Sequence, residues 1–85
     1  MKNIVVYSKA GCHLCEKVLS ELEQLRTVEI FDLTTRDITD DPELYERYKN
    51  IIPAVSVDGV VKLAGAAVSN PATVKEVLRK AILSR

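Results

Sequence analysis

Cys12 and Cys15, the two cysteines of this 85-residue chain, stand three positions apart in Cys12-His13-Leu14-Cys15. Their spacing suits dithiol redox chemistry. At the start of a helix it puts one sulfur at the positive end of the helix dipole and the other about one turn in. The N–H groups of a first turn have no partner within the helix and can donate to a thiolate. Cys12 is therefore expected to have a lowered thiol pKa and to be the nucleophile, with Cys15 as the resolving thiol. A staple across the fold is a poor explanation for cysteines this close together. Two other readings compete. A tetrahedral metal site needs four ligands, whereas these cysteines and His13 supply three, so ligation would have to be shared in a dimer; alternatively the thiols are inert core residues.

The elements that would position this pair follow from periodicity. Asn3 to Tyr7 is a β-branched-rich run, the pattern of a buried strand near the middle of a sheet. It ends in the loop Ser8-Lys9-Ala10-Gly11. From Leu14 onward, Cys15, Val18, Leu19, Leu22 and Leu25 recur at helical spacing, which places Cys15 on an inward stripe, and Lys17 and Glu21 are spaced as an i,i+4 pair. Thr27 to Leu33 alternates, with Val28 and Ile30 on one face and Glu29 and Phe31 on the other, and is expected to form a second, parallel strand. Thr34 to Thr39 either prolongs this strand through a bulge or forms a loop, and is read here as loop. Asp41-Pro42-Glu43 is a helix start, with Asp41 as cap and Pro42 at the first helical position, and Leu44 and Tyr48 face inward. Ala54 to Val57 and Val60 to Leu63, joined by Asp58-Gly59, read as a hairpin, because the dipeptide suits a turn with positive φ. A loop from Gly65 to Val68 precedes a last helix, begun by Ser69 or Asn70 before Pro71 and buried along Val74, Val77, Leu78, Ala81 and Ile82. The order is β-α-β-α-β-β-α, an α/β fold with a four-stranded mixed sheet and helices on both faces.

Composition narrows the function. Hydrophobic residues make up 47% and charged residues 28% of the chain, as in an ordinary globular domain, and residues 1–85 are expected to form a single domain. Twelve basic and twelve acidic residues cancel, so no long-range field recruits nucleic acid or an anionic membrane. The apolar run at the N-terminus is too short for a secretion signal, and no stretch is long enough to span a bilayer. A reducing cytoplasm and a monomer are the expectations.

Taken together, Tyr7-Ser8-Lys9-Ala10-Gly11-Cys12-His13-Leu14-Cys15-Glu16, Asp41-Pro42-Glu43-Leu44 through Arg47-Tyr48, and Ile52-Pro53 followed by Val57-Asp58-Gly59 resemble the glutaredoxins of the thioredoxin-like superfamily. The resemblance covers nearly the whole chain. It implies a thioredoxin-like fold with strand order 2-1-3-4, a cis bond at Ile52-Pro53, and thiol-disulfide exchange with protein or low-molecular-weight disulfides through Cys12 and Cys15. It also implies a substrate-binding set of Lys9, His13, Leu14, Ile52, Pro53, Gly65, Ser69 and Asn70, in which Ile52 offers backbone groups to an extended thiol substrate. No bound organic cofactor is implied. The electron donor would be a reductase or glutathione. Glutathione is disfavoured by Gly65-Ala66-Ala67, which stands where the family has a Gly-Gly pair, and by Ile51-Ile52, which replaces a Thr-Val. Some glutaredoxins hold an iron–sulfur cluster across a dimer, which makes a cluster or metal carrier using Cys12 the alternative function.

Overall fold

The strand Lys2–Ser8 (β1) lies inside a four-stranded sheet, and the cysteine loop departs from its end. The computed structural model describes residues 2–65 and 71–83. After β1 come helix α1 (His13–Leu25), strand β2 (Phe31–Asp37), a 3-10 turn (Ile38–Asp40), helix α2 (Pro42–Tyr48), strands β3 (Ala54–Val57) and β4 (Val60–Ala64), and helix α3 (Pro71–Leu83). The sheet order is β2-β1-β3-β4. β1 and β2 run parallel across the α1 crossover, whereas β1–β3 and β3–β4 are antiparallel. This is the expected mixed sheet.

Side-chain alternation in β1 divides the interior. Ile4 and Val6 point to one face, where they meet Val18, Leu22 and Leu25 of α1, Val74 and Leu78 of α3, and Val55, Val57 and Leu63 of the hairpin. Leu22 is fully buried, and burial of a side chain of this size is worth roughly 1.5–3 kcal/mol. On the opposite face, Tyr7 joins Ile38, Leu44, Tyr48, Ile52, Ala54 and Ala64 in a smaller cluster beneath α2. Helices thus cover both faces.

Local signals account for most boundaries. The Asp41 carboxylate accepts from the Glu43 N–H at 2.9 Å and Pro42 opens α2, as expected of a cap followed by a preset φ. Asp58 and Gly59 both have positive φ, at 51° and 87°, which is the hairpin turn matched to strand twist. In α3, Val74 and Leu78 are buried and Val77, Ala81 and Ile82 are packed against the core.

The second strand departs from expectation. It begins at Phe31, not Thr27, and runs through Asp37, so that Thr34 to Asp37 are strand and not loop. The backbone explains the shift. Thr27 donates to the Gln24 carbonyl, and Val28 and Glu29 donate to that of Leu25, at 2.9–3.1 Å, so these residues close the last turn of α1 and are withheld from the sheet. Val28 and Ile30 are consequently 69% and 81% exposed, while Phe31 and Leu33 reach the core. The expected Lys17–Glu21 pair also gives way to a tertiary one. Glu21 meets Lys75 at 3.3 Å and Glu29 meets Arg79 at 3.4 Å, which ties α1 and its following turn to α3.

The hairpin turn is fastened to the start of β1 by one carboxylate. Asp58 accepts from the Asn3 N–H at 2.9 Å and pairs with Lys2 at 3.3 Å, and these contacts, the hydrogen bond foremost, hold its pKa below the usual aspartate value. A lowered folded-state pKa gives stability that is present above the unfolded value, about 3.9, and is lost as pH falls through the folded one. Thermal denaturation followed from pH 5 downward should therefore show a shallower acid-side decline in Asp58→Asn than in the parent, together with lower stability at neutral pH. Parallel pH profiles would remove this role for Asp58.

Candidate redox site

The site is assembled where two strands meet. Tyr7 of β1 lies opposite Ala54 of the antiparallel β3, so the end of β1 and the start of β3 fall at the same edge of the sheet. From the first departs the loop Lys9-Ala10-Gly11, all exposed, with Gly11 at φ +80°. An L side chain at that φ is strained, which accounts for glycine directly before the cysteines. Into the second runs Ile51-Ile52-Pro53.

Cys12 is the N-cap of α1, in extended conformation, and its Sγ accepts a hydrogen bond from the Cys15 N–H at 3.2 Å. A sulfur here does the work of a capping oxygen, since it satisfies a first-turn donor that has no partner within the helix. The Cys12 and Cys15 sulfurs are at disulfide-bonding distance and their Cα atoms are 5.2 Å apart. The two thiols are not equivalent. Cys12 is partly accessible, whereas Cys15 is only 2% exposed and shares its face of α1 with Val18, Leu22 and Leu25.

The Ile51-Ile52-Pro53 segment is held from both sides. Ile51 donates to the Tyr48 carbonyl at 2.9 Å, and the Gly65 N–H is shared between the carbonyls of Ile51 and Pro53 at 2.8 and 3.1 Å. The Ile52–Pro53 bond is cis, as the resemblance implied, and Pro53 is fully buried. Gly65 has φ +57°, a conformation that favours glycine at the point where the β4 end meets this segment. Tyr7 and Tyr48 stack at 4.2 Å between ring centroids with 12° between planes, and so join the last turn of α2 to the strand that carries the cysteine loop. Residues 41 positions apart carry no periodic signal that would pair them.

The remaining predicted residues are dispersed. His13 is 92% exposed and leans toward Glu16 at 3.9 Å, a surface contact worth little. Leu14 is half-buried and packs against the main core. Lys9 is exposed on the loop before the cysteines, while Ile52 and Gly65 are half-buried at the proline segment. Ser69 and Asn70, together with Ala66 to Val68, lie outside the described residues. Among the described residues, no group of three or more His, Cys, Asp or Glu side chains is placed to hold a metal ion.

The model of the glutaredoxin-like domain (DUF836) matches residues 3–83 of the chain. The chain belongs to this glutaredoxin-like family. Its fold is also that of protein Ne2328 from Nitrosomonas europaea, solved by NMR in solution, with a TM-score of 0.77 and 22% identity over 95% of this chain and 91% of the other. A malarial protein of known structure superposes with a TM-score of 0.68 at 10% identity, covering 98% and 99% of the two chains. A search of curated protein sequences gives no match. At these identities the neighbours speak for the fold, and the chemistry of this glutaredoxin-like domain rests on its own cysteine pair.

Position and burial give a direct expectation for the reduced domain. Cys12 should be alkylated well before Cys15, with a pH midpoint below the roughly 8.5 of a free cysteine. Iodoacetamide labelling with mass-spectrometric assignment checks both. Labelling of Cys15 first, or a Cys12 midpoint at or above the free value, would contradict the capping argument.

Proposed function

We propose that this glutaredoxin-like domain is a thiol-disulfide oxidoreductase that reduces and reforms disulfides of proteins or small thiols. One observation carries the reading, namely a partly accessible sulfur at a helix N-cap within bonding distance of a buried one three residues on. In the reducing direction, the Cys12 thiolate attacks one sulfur of the substrate disulfide and the other leaves as a thiolate. A mixed disulfide results. Cys15 then loses its proton and attacks the Cys12 sulfur, which forms Cys12–Cys15 and expels the second substrate thiolate. Two electrons pass to the substrate, and protonation of its two thiolates completes the balance. A donor thiol or reductase returns the pair to the dithiol.

The helix N-terminus supports the first step by stabilising the Cys12 thiolate, and burial of Cys15 supports the second by keeping that thiol from competing as the entering nucleophile. The exposed Ile51 and half-buried Ile52, which precede the buried cis Pro53 at the same end of the sheet, offer the surface along which an extended substrate would lie. The competing function, an iron–sulfur or metal carrier, needs ligands from a second chain, because the cysteine pair and His13 do not complete a four-ligand set. A cytoplasmic location agrees with a pair that must be re-reduced in each cycle.

Division of labour within the pair is testable by trapping. Cys15→Ser should accumulate a covalent Cys12–substrate adduct with a disulfide substrate, whereas Cys12→Ser should neither react nor trap. Intact-mass measurement distinguishes the two. An adduct on the Cys12→Ser protein would reverse the assignment, and no adduct on either, with iron or zinc in the purified protein, would favour the carrier.

For the donor, we propose that glutathione serves poorly, because Gly65-Ala66-Ala67 carries methyl groups where the family presents bare backbone to the tripeptide. Ala66→Gly should raise the rate of glutathione-dependent turnover without changing turnover driven by a small dithiol. Efficient turnover of the unmodified protein with millimolar glutathione would overturn this reading.

A further inference from the structure

The outer edge of β2 has a charge pattern complementary to itself. β2 is the terminal strand of the sheet, seven residues long, and Asp32, Thr34, Thr35 and Arg36 are all exposed. An open edge of this length is a template for strand pairing, and proteins commonly block it with charges. Here the charges are placed otherwise. If two copies pair antiparallel about Thr34, Asp32 of each chain lies opposite Arg36 of the other, Leu33 opposite Thr35, and Thr34 opposite itself. Side chains at 32, 34 and 36 share one face, so both acid–base pairs form on that face. Among the described residues neither Asp32 nor Arg36 has an ion-pair partner within its own chain.

The other edge does not offer this. β4 is five residues long, and antiparallel self-pairing about its centre sets Lys62 against Lys62. Pairing β2 with β4 of another copy would be head-to-tail and would give a ring or an open filament, not a two-fold pair. We propose that the partner of the β2 edge is a second copy of this chain, joined in a two-fold antiparallel pair that makes one continuous eight-stranded sheet. This departs from the monomer expected of the sequence. It also fixes the relation of the two redox sites. Asp37, at the end of β2, is in register with Ser8, at the end of β1 from which the cysteine loop departs. Antiparallel pairing sends the two Asp37 ends in opposite directions, roughly 20 Å apart along the strands. Both cysteine pairs stay open to substrate, and the dimer is distinct from one bridged through Cys12.

Sedimentation velocity from micromolar to millimolar concentration tests the proposal. The parent protein should show a monomer–dimer equilibrium that weakens with salt. Arg36→Asp and Asp32→Arg, each alone, set like charges opposite twice in the pair and should raise the dissociation constant by about tenfold or more. Mixing the two variants should restore association, since every cross-strand pair then has one acidic and one basic member, and this rescue also shows that both are folded. Lys62→Glu on the other edge should change nothing. A parent that stays monomeric at millimolar concentration, single variants that associate like the parent, or a mixture that does not recover would each overturn the assignment.

Discussion

A sulfur atom caps the first turn of α1, and the geometry of the redox site follows from that contact. For Cys12 to accept from the Cys15 N–H, the chain must leave β1, turn through Gly11 and arrive in extended conformation one residue before the helix. The same requirement sets the third helical residue inward, so one cysteine is presented to solvent and the other to the core. The unequal exposure of the two sulfurs is thereby decided in one step. The three-residue spacing has meaning only with the strand on one side and the apolar stripe of α1 on the other.

The sheet's handedness of traffic does the rest. Because β3 runs antiparallel to β1, the proline segment ends beside the point where the cysteine loop begins. The Tyr48 carbonyl, the Gly65 N–H and the stacked tyrosines then hold that segment at the β4 and α2 boundaries. Four elements distant in sequence meet at one end of the sheet, while α1 and the turn after it are joined to α3 by the Glu21–Lys75 and Glu29–Arg79 pairs.

Much of this was legible from residues that act locally. Cys12, Asp41 with Pro42, and Asp58 with Gly59 each mark a boundary through a hydrogen bond or a backbone angle that the residue itself controls. The failure at β2 is equally physical. Val28 and Ile30 alternate like strand residues, but the carbonyls at the end of α1 take the neighbouring N–H groups first, and Thr34 to Asp37 become strand because β1 offers a ladder that no local pattern announces. Periodicity could not decide between those claims, which are settled by which backbone groups remain free. The tyrosine stack and the α1–α3 ion pairs were invisible for a related reason, since they depend on distances between elements and not on spacing within them. Ser69 and Asn70, expected at the substrate site, lie outside the described residues and add nothing to this comparison.

The tyrosine stack has an optical consequence. The chain contains no tryptophan and three tyrosines, two of which lie face to face at 4.2 Å between β1 and α2. Near-ultraviolet absorption and emission therefore come from very few chromophores, and a closely stacked pair couples electronically in a way that the half-exposed Tyr45 does not. The domain thus carries an intrinsic label at the junction of the cysteine-bearing strand and the helix before the proline segment, so changes in packing there can be followed by circular dichroism without any added dye.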